Sequence, residues 1–227
     1  MHELNTERLS RLNQTSWWVQ TTADLERLAV NVLNPLPGGW VRRGDNFIRV
    51  GNVKHGADAR KLEAELTALS SESRRILGDG APGNVLRAAA YYHLRFENIH
   101  PLCEANGRIG RLILAKQLEQ SLRIPATDTL AGLKDWEGDY RRLFATNKSP
   151  VMFELLLDLL SRITGIDLPP EASRLPASIE PRYPQKNVPR NVPRLHPEKG
   201  LADSNAVRDF AKKQQQRRSA GAFRRFF

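Results

Sequence analysis

Apolar residues recur at intervals of three and four along the middle of the chain, the spacing that places them on one face of a helix. Asp58 is placed to cap the first of these helices, Pro82 begins the second, and Ser149 begins the last. Residues 109–118 are apolar almost all round, as expected for a buried central helix. The pattern therefore predicts a mainly α-helical domain. The buried stripe of the first helix comprises Ala59, Leu62, Leu66, Leu69 and Ile76, and that of the second comprises Val85, Ala89, Tyr92 or His93, and Phe96.

A different pattern occupies residues 40–53, where two β-prone runs flank a Gly44-Asp45 turn. Two such runs about a turn predict a β-hairpin. An isolated hairpin is marginally stable in water, so this one must pack on the helices or be ordered by a partner. From these residues alone, a surface hairpin that binds nothing is an equal alternative.

The 227 residues suffice for one ordinary domain with a core and an appendage. The longest apolar stretch, residues 151–160, contains Glu154 and Asp158 and falls short of the ~20 residues that a membrane span needs. The N-terminus lacks a basic region followed by an apolar run, so no cleaved secretory signal is predicted. The single cysteine, Cys103, excludes an internal disulfide and fits a reducing cytoplasm. We expect Cys103 to be a small buried packing residue.

The positive charge of the chain is concentrated at its C-terminal end. The net charge is +10, and in residues 171–227 Lys and Arg outnumber Asp and Glu by thirteen to five. Eight of the fourteen prolines lie within residues 169–197, where the tetrapeptide Asn-Val-Pro-Arg occurs twice in succession. Such a stretch cannot bury enough apolar surface to fold alone. The sequence therefore predicts an N-terminal helical region at 1–37, a folded core at 38–168 and a largely disordered, Pro-rich basic tail at 169–227.

One short segment of the core carries most of the candidate chemistry. A base, a carboxylate, an Asn-Gly turn and two arginines fall within twelve positions, and an apolar helix follows directly: the residues are His100, Glu104, Asn106, Gly107, Arg108 and Arg111. A helix N-terminus binds anions through its N–H groups and its dipole, and arginines add bidentate contacts to phosphate. The segment therefore predicts a site for phosphate and an accompanying metal ion.

The same segment resembles the signature of the Fic/Doc (Fido) family, His-x-Phe-x-Asp/Glu-Gly/Ala-Asn-Gly/Lys-Arg-x-x-Arg. Leu102 stands where Phe is usual, and a Leu is still able to anchor the loop on the core. The resemblance extends over most of residues 38–163 and implies a Fic-type helical domain with a small β-hairpin flap that pairs with an extended segment of the target. The matching motif positions are His100, Glu104, Ala105, Asn106, Gly107, Arg108 and Arg111, and the target-binding flap residues would be Ile48, Arg49, Val50, Gly51 and Asn52.

The resemblance also implies a reaction, the transfer of AMP from ATP to a Tyr, Ser or Thr hydroxyl of a target protein with pyrophosphate leaving. A base that titrates near ~6.5 is suited to accept the proton of such a hydroxyl. Gly107 favours AMP transfer, because the phosphorylating Doc branch has Lys at this position. His100 would be the catalytic base, Glu104 would hold Mg²⁺, and Ala105, Asn106, Gly107, Arg108 and Arg111 would bind the nucleotide. The chain would then act as a toxin or effector enzyme, in the cytoplasm or after secretion without a cleaved signal.

Two other functions are compatible with the sequence. A related enzyme would use another phosphate donor, such as UTP or a choline nucleotide. A nucleic-acid-binding protein would instead act through the basic tail, with an affinity that falls steeply as salt is raised. If the core is an enzyme, the tail would contact an acidic, nucleic-acid-bound or secretion partner.

Many family members carry an inhibitory helix with the pattern Ser/Thr-x-x-x-Glu-Gly/Asn, whose Glu pairs with the second motif arginine. The nearest match here, Thr22 to Arg27, has Arg where the pattern requires a small residue. An ordinary amphipathic helix is therefore favoured at this position. Any restraint would then come from a separate antitoxin-like protein.

Overall fold

Six α-helices and a two-stranded β-hairpin form the described part of the chain. The computed structural model describes residues 17–44, 48–50, 53–135, 137 and 149–168, all of which lie within the compact unit Leu4–Pro184. The predicted mainly α-helical fold is therefore confirmed for this part of the chain. The helices are α1 (Thr22–Leu33), α2 (Leu62–Leu77), α3 (Pro82–Ile99), α4 (Asn106–Leu122), α5 (Ala126–Asp135) and α6 (Ser149–Thr164), the strands are β1 (Ile48–Val50) and β2 (Val53–His55), and a 3₁₀ turn spans Ala59–Lys61.

Helix α3 lies at the centre of the packing. Helices α2, α4 and α6 each pack against it, and α5 packs against α4 and α6. Pro82 occupies the first position of α3, where its missing N–H has no intrahelical acceptor to lose. In α4, Ile109, Leu114 and Leu118 are fully buried, so the helix predicted at 109–118 is buried as expected, but the central position belongs to α3. The predicted stripes of α2 and α3 are also buried, apart from the half-buried Ala59.

The segment before α1 is attached to this core. Trp17 is buried, and its carbonyl accepts a hydrogen bond of 3.0 Å from the side-chain amide of Gln117 in α4. The Tyr92 hydroxyl of α3 donates to the carbonyl of Val19 at 2.8 Å, and the Tyr92 ring meets Trp18 edge to face at 5.8 Å. These contacts make both tryptophans packing residues.

The β-hairpin lies further along the chain than the predicted Gly44-Asp45 turn. Strands β1 and β2 are antiparallel, and Val50 pairs with Val53. This pairing leaves two residues for the connection, Gly51 and Asn52, which lie outside the described residues. A Gly-Asn dipeptide suits a two-residue hairpin connection, because such turns require positive φ angles. The hairpin is present, but the prediction of its turn is wrong.

The first of the two β-prone runs pairs with the motif instead. Val41 forms an isolated antiparallel bridge with Leu102, and the main-chain N–H of Arg42 donates to the carbonyl of Pro101 at 2.9 Å. Both Val41 and Leu102 are buried, and Leu102 has no exposed surface. Leu102 therefore anchors the motif loop on the core, as predicted for the residue that replaces Phe.

Cys103 is exposed, so the prediction that it is buried is wrong. Its main-chain N–H donates to the carbonyl of Trp40 at 2.8 Å, which continues the extended pairing around Leu102. Successive side chains in an extended segment point to opposite sides. Because Leu102 enters the core, Cys103 faces solvent.

Leu168 is the last of the described residues. A methyl group added at Gly83 in the first turn of α3 would lie 3.3 Å from Leu168 Cδ2, so this residue packs back on the helical core. The predicted basic tail, 169–227, lies outside the described residues, as do residues 1–16. Within the described part of the chain, no helix is long and apolar enough to cross a membrane.

Candidate functional site

The candidate site is built around the loop that joins α3 to α4. His100 follows the last residue of α3 with φ 51°, and Ala105 precedes the first residue of α4 with φ 63°. Both angles are left-handed, a conformation that costs a residue with a Cβ roughly 1–2 kcal/mol. Strained residues of this kind persist where the surrounding contacts hold them, and they cluster at functional sites. The two strained positions are the ends of the predicted motif loop.

The side chain of Asn106 closes this loop. Its Oδ1 accepts from the N–H of Leu102 at 2.9 Å, and its Nδ2 donates to the carbonyl of the same residue at 3.0 Å. Asn106 is 2% exposed, so both bonds are shielded from water. Its side chain is thus committed to shaping the loop, and any contact of Asn106 with an anion would come from its main-chain N–H.

We expect Ala105→Gly to raise the free energy of unfolding by about 1 kcal/mol, because glycine adopts φ 63° without the steric cost that Ala105 bears. Ala68, exposed on α2, provides the matched control. There the same exchange should lower stability by about 1 kcal/mol, since glycine is unfavourable inside a helix. Urea unfolding of the two variants measures both effects. Equal destabilisation by both exchanges would show that Ala105 bears no strain.

The imidazole of His100 is held by the end of α3. Its main-chain N–H donates to the carbonyl of Phe96 at 2.9 Å, and its Nδ1 lies 3.1 Å from the carbonyl oxygen of Glu97. A carbonyl oxygen accepts hydrogen bonds and cannot donate them, so Nδ1 is the donor. In the neutral ring Nε2 then has the lone pair. The atom of His100 that can take up a proton is therefore Nε2.

The N-terminus of α4 has the properties of an anion site. Its N-cap residue, Ala105, makes no side-chain capping bond, and its first turn contains no acidic residue. The first intrahelical bond runs from the N–H of Ile109 to the carbonyl of Ala105 at 3.0 Å, so the preceding N–H groups have no acceptor in the helix. Arg108 and Arg111 add positive charge at this positive end of the helix dipole, which is unfavourable for the helix alone. A bound anion would relieve that repulsion.

The two motif arginines differ in their surroundings. Arg108 is exposed, whereas Arg111 is half-buried. A Cβ added at Gly107 would lie 3.3 Å from Nη1 of Arg111, so this guanidinium extends back over the first turn of α4. Glycine at position 107 therefore leaves the space that the Arg111 side chain occupies.

Glu104 is the carboxylate of the motif, and it is exposed beside the start of α4. Mg²⁺ at nucleotide sites commonly takes one or two carboxylates, with substrate phosphates and water as the other ligands. A hard oxygen ligand next to an anion-binding helix end fits that donor set. A cluster of three or more His, Cys, Asp or Glu side chains able to hold a metal is not found among the described residues.

Residues 21–118 match the model of the Fic/DOC family. The matched segment runs from the cap of α1 through the hairpin, α2 and α3 into α4, and it contains the whole motif. The match supports placing this segment in the Fic/DOC family. It begins ahead of residue 38, where the core was predicted to start. No curated protein and no solved structure matches the chain.

Two ionisable side chains lie beneath the motif loop, the buried His93 and the half-buried Glu97, whose Oε1 is shielded from solvent. His93 and Glu97 are one turn apart on α3 and face Gly110 of α4, where an added Cβ would collide with Glu97 Oε1 and lie 3.3 Å from His93 Cε1. Burial raises the pKa of Glu97 to about 7, although the charge of Arg111 opposes this shift. Burial lowers the pKa of His93 to about 4, and Arg111 lowers it further, while a bond with the Gly110 main chain opposes the shift. Near neutral pH, His93 is uncharged and Glu97 is partly protonated.

These shifts predict a pH-dependent difference in stability between Glu97→Gln and the wild type. The folded pKa of Glu97 lies above its ordinary value of 4.5, so between these values the folded state holds a proton that the unfolded state has lost. The contribution of Glu97 to stability therefore falls as pH rises from 4.5 to about 7. The free energy of unfolding of Glu97→Gln, relative to that of the wild type, should therefore be about 3 kcal/mol higher near pH 7 than near pH 4.5.

The wild type and Glu97→Gln must be compared at the same pH, because His93 changes the stability of both proteins with pH in the opposite direction. Its folded pKa of about 4 lies below its ordinary value of 6.5, so its contribution to stability rises with pH over that interval. Urea unfolding of the wild type and Glu97→Gln between pH 4.5 and 7.5 isolates the Glu97 part. Glu154→Gln, at an exposed site on α6, is the control. A stability difference that does not vary with pH would contradict the assignment.

Glu26 of α1, the glutamate in the nearest match to the inhibitory pattern, is engaged elsewhere. Its two carboxylate oxygens accept from the N–H of Trp40 at 2.9 Å each, and its Oε2 accepts from the N–H of Val41 at 2.8 Å. Glu26 thereby holds the segment that pairs with the motif loop. This placement agrees with the interpretation of α1 as an ordinary structural helix.

We therefore expect Glu26→Ala to lower the stability of the fold. The exchange leaves the N–H groups of Trp40 and Val41 without their acceptor, which should reduce the free energy of unfolding by about 1–3 kcal/mol. Thermal unfolding of the variant and the wild type measures the effect. An unchanged stability would show that Glu26 does not hold the segment at Trp40 and Val41.

Arg42 is the functional candidate that the motif does not contain. Arg42 is 2% exposed, and its guanidinium bonds to the main-chain carbonyls of Ile99 and His100 at the end of α3. The sequence offers one weak signal for it, a charged residue within a β-prone run that the hairpin prediction left unexplained. The sequence pattern names His93 as one alternative for the buried stripe of α3 and gives Glu97 no role. Helical spacing alone does not show whether a carboxylate on a helix is buried or exposed.

Proposed function

We propose that the Fic-type domain transfers AMP from ATP to the hydroxyl of a Tyr, Ser or Thr side chain on a target protein. The observation that carries the proposal is the geometry at His100, whose Nδ1 is bonded to the Glu97 carbonyl so that Nε2 is the basic atom. This base lies in a loop that ends at a helix N-terminus whose N-cap residue, Ala105, makes no side-chain capping bond, and two arginines follow. A base next to an anion site is what phosphoryl chemistry at a hydroxyl requires.

The reaction forms one bond and breaks another. As the target oxygen bonds to the α-phosphorus, its proton passes to His100 Nε2. The bond from the α-phosphorus to the oxygen bridging the β-phosphate breaks, and pyrophosphate leaves. The first N–H groups of α4, with Arg108 and Arg111, would stabilise the charge that gathers on the phosphates. Glu104 would hold Mg²⁺, which neutralises part of the phosphate charge when it is bound.

Position 107 supports attack at the α-phosphorus over the terminal phosphorus. Any side chain at Gly107 would begin 3.3 Å from the Arg111 guanidinium. The Lys found there in the phosphorylating Doc branch would crowd that group. The present arrangement leaves Arg111 over the helix N-terminus, the position in which it would hold the terminal phosphates.

The target would approach along the flap, which is the β1–β2 hairpin at residues 48–55. Ile48, Arg49 and Val50 form β1, and Gly51 and Asn52 connect it to β2. In a two-stranded sheet each strand has one edge that its partner does not use, and an extended peptide can add there as a further strand. Because Glu26 is bound to Trp40 and Val41, we assign any restraint of the enzyme to a separate antitoxin-like protein.

The test is incubation of the full-length protein with Mg²⁺, a lysate and ATP labelled either at the α- or at the γ-phosphorus. AMP transfer gives protein-bound label from the first ATP and none from the second, and phosphorylation gives the reverse. UTP and CTP labelled at the α-phosphorus test the other donors. Mass spectrometry then locates the modified hydroxyl. Label from γ-phosphorus alone, or from none of the nucleotides, would overturn the proposal.

A further inference from the structure

Arg42 bonds to three carbonyls that belong to two different parts of the site. Its Nε donates to His100 O at 2.6 Å, and its Nη2 donates to Ile99 O at 3.0 Å and to Ala57 O at 2.8 Å. Ile99 and His100 are the C-terminal end of α3, and Ala57 follows the flap. The guanidinium therefore joins the residue proposed as the catalytic base to the chain that leads out of the flap.

The end of α3 explains why a cation is buried here. The last carbonyls of a helix have no intrahelical donor and carry the negative end of the dipole. A guanidinium supplies several donors in a fixed plane and remains charged, so it can satisfy more than one carbonyl at once. Burial lowers the pKa of Arg42, and the nearby Cys103 and Asp58 oppose that shift. Arg42 thus acts as a C-terminal cap of α3 that comes from another part of the chain.

The flap is held close to His100 at the same point. Gly56 follows β2 with φ 85°, and a Cβ added to it would lie 2.9 Å from Arg42 Nη2, 3.0 Å from Ile99 O and 3.1 Å from His100 Cβ. The N–H of Ala57 also donates to Ile99 O at 2.9 Å. Glycine at position 56 is therefore needed both for its backbone angle and for this close approach.

We propose that Arg42 is a positioning residue that fixes the His100 main chain and ties it to the base of the flap. The inference rests on the proposed role of His100 in transfer. Arg42 bonds to the backbone on which the His100 ring is carried, and its own main chain pairs with Pro101 of the same loop. Loss of the guanidinium would allow His100 to leave its left-handed conformation, and the ring would move with it.

The contacts also predict which kinetic constant should change. The Arg42 guanidinium bonds to the carbonyls of His100, Ile99 and Ala57, while nucleotide binding is assigned to the α4 end of the loop. A displacement of about 1 Å in a reacting group can cost roughly 10²-fold in rate. We therefore expect Arg42→Ala to lower kcat by about 10²-fold and to change the KM for ATP by less than about threefold. Arg42→Lys, which keeps the charge and loses the planar fork, should give an intermediate kcat.

Chemical rescue and two further variants distinguish a positioning role of Arg42 from a general loss of folding. Added guanidinium ion should restore part of the kcat of Arg42→Ala, because it fits the space left by the side chain. Gly56→Ala disturbs the same junction from the flap side and leaves Arg42 in place, so it should also lower kcat. Arg43→Ala, an exchange of the exposed neighbouring arginine, is the matched control and should retain the kcat of the wild type.

A readout that does not depend on activity distinguishes failure of this inference from failure of the proposed function. The NMR signal of the His100 imidazole can be assigned by its absence from His100→Asn. Arg42→Lys should shift that signal, and Arg43→Lys should leave it unchanged. If the wild type transfers no nucleotide, the proposed function fails while the NMR comparison still tests Arg42. An unshifted His100 signal, a wild-type kcat in Arg42→Lys, or a raised KM with an unchanged kcat would each overturn the positioning role.

Discussion

His100→Asn should reduce nucleotide transfer by about 10²-fold or more, the range over which a positioned general base accelerates proton transfer. The base is lost because an amide does not accept a proton in this pH range. Asn is the informative replacement, because it tolerates the left-handed angle that His100 adopts at φ 51°. The loop and the fold should therefore survive the exchange. Measurement of kcat at saturating ATP, with the label at the α-phosphorus, tests the prediction.

The control for this experiment is binding of the nucleotide without chemistry. His100→Asn should bind ATP with Mg²⁺ as the wild type does, since phosphate contacts are assigned to α4 and to Arg108 and Arg111. Equilibrium binding and thermal unfolding of the variant measure this. A variant that is folded, binds ATP and transfers at the wild-type rate would remove His100 from the mechanism. A variant that no longer binds ATP would place His100 in the nucleotide site.

The helices and the motif loop could be predicted because their signals are local. Spacing along the sequence marks the buried stripes of α2 and α3, and the motif occupies consecutive positions between α3 and α4. The burial of Leu102 was also predictable, since an apolar residue inside a polar loop is expected to pack on the core. In each case the residues that decide the structure are neighbours in the chain.

The pairing of residues 40–43, the exposure of Cys103 and the burial of Arg42 could not be predicted, because contacts between distant segments decide them. The run at 40–43 is β-prone, but whether it pairs with residues after Gly44 or with the loop around Leu102 depends on the folded helices. That same pairing turns Cys103 to solvent. Arg42 is buried because α3 ends beside it. The residues around Arg42 in the sequence do not indicate where that helix end lies in the fold. Roles assigned to the motif side chains stay predictions until they are measured.

Replacing Arg111 or Glu104 should weaken the same nucleotide complex in distinguishable ways. Arg111→Ala removes a guanidinium that lies over the first turn of α4. Hydrogen bonds to charged groups contribute roughly 1.5–3 kcal/mol each, so loss of one or two should lower kcat/KM for ATP by about 10- to 10²-fold or more. Glu104→Ala removes one ligand of a metal that the phosphates also hold, so part of the loss should be a loss of metal affinity.

A magnesium titration of the two variants separates these causes, and it is the sharpest test of the motif as a phosphate site. Raising Mg²⁺ should restore part of the kcat/KM of Glu104→Ala, because mass action compensates for a weaker ligand set. The same titration should not rescue Arg111→Ala, since a metal ion cannot replace a guanidinium at a fixed point over Gly107. Arg111→Lys should lie between Arg111→Ala and the wild type, because Lys keeps the charge without the bidentate geometry. If both alanine variants turn over normally, or if Mg²⁺ rescues both equally, these residues do not hold metal and phosphate as proposed.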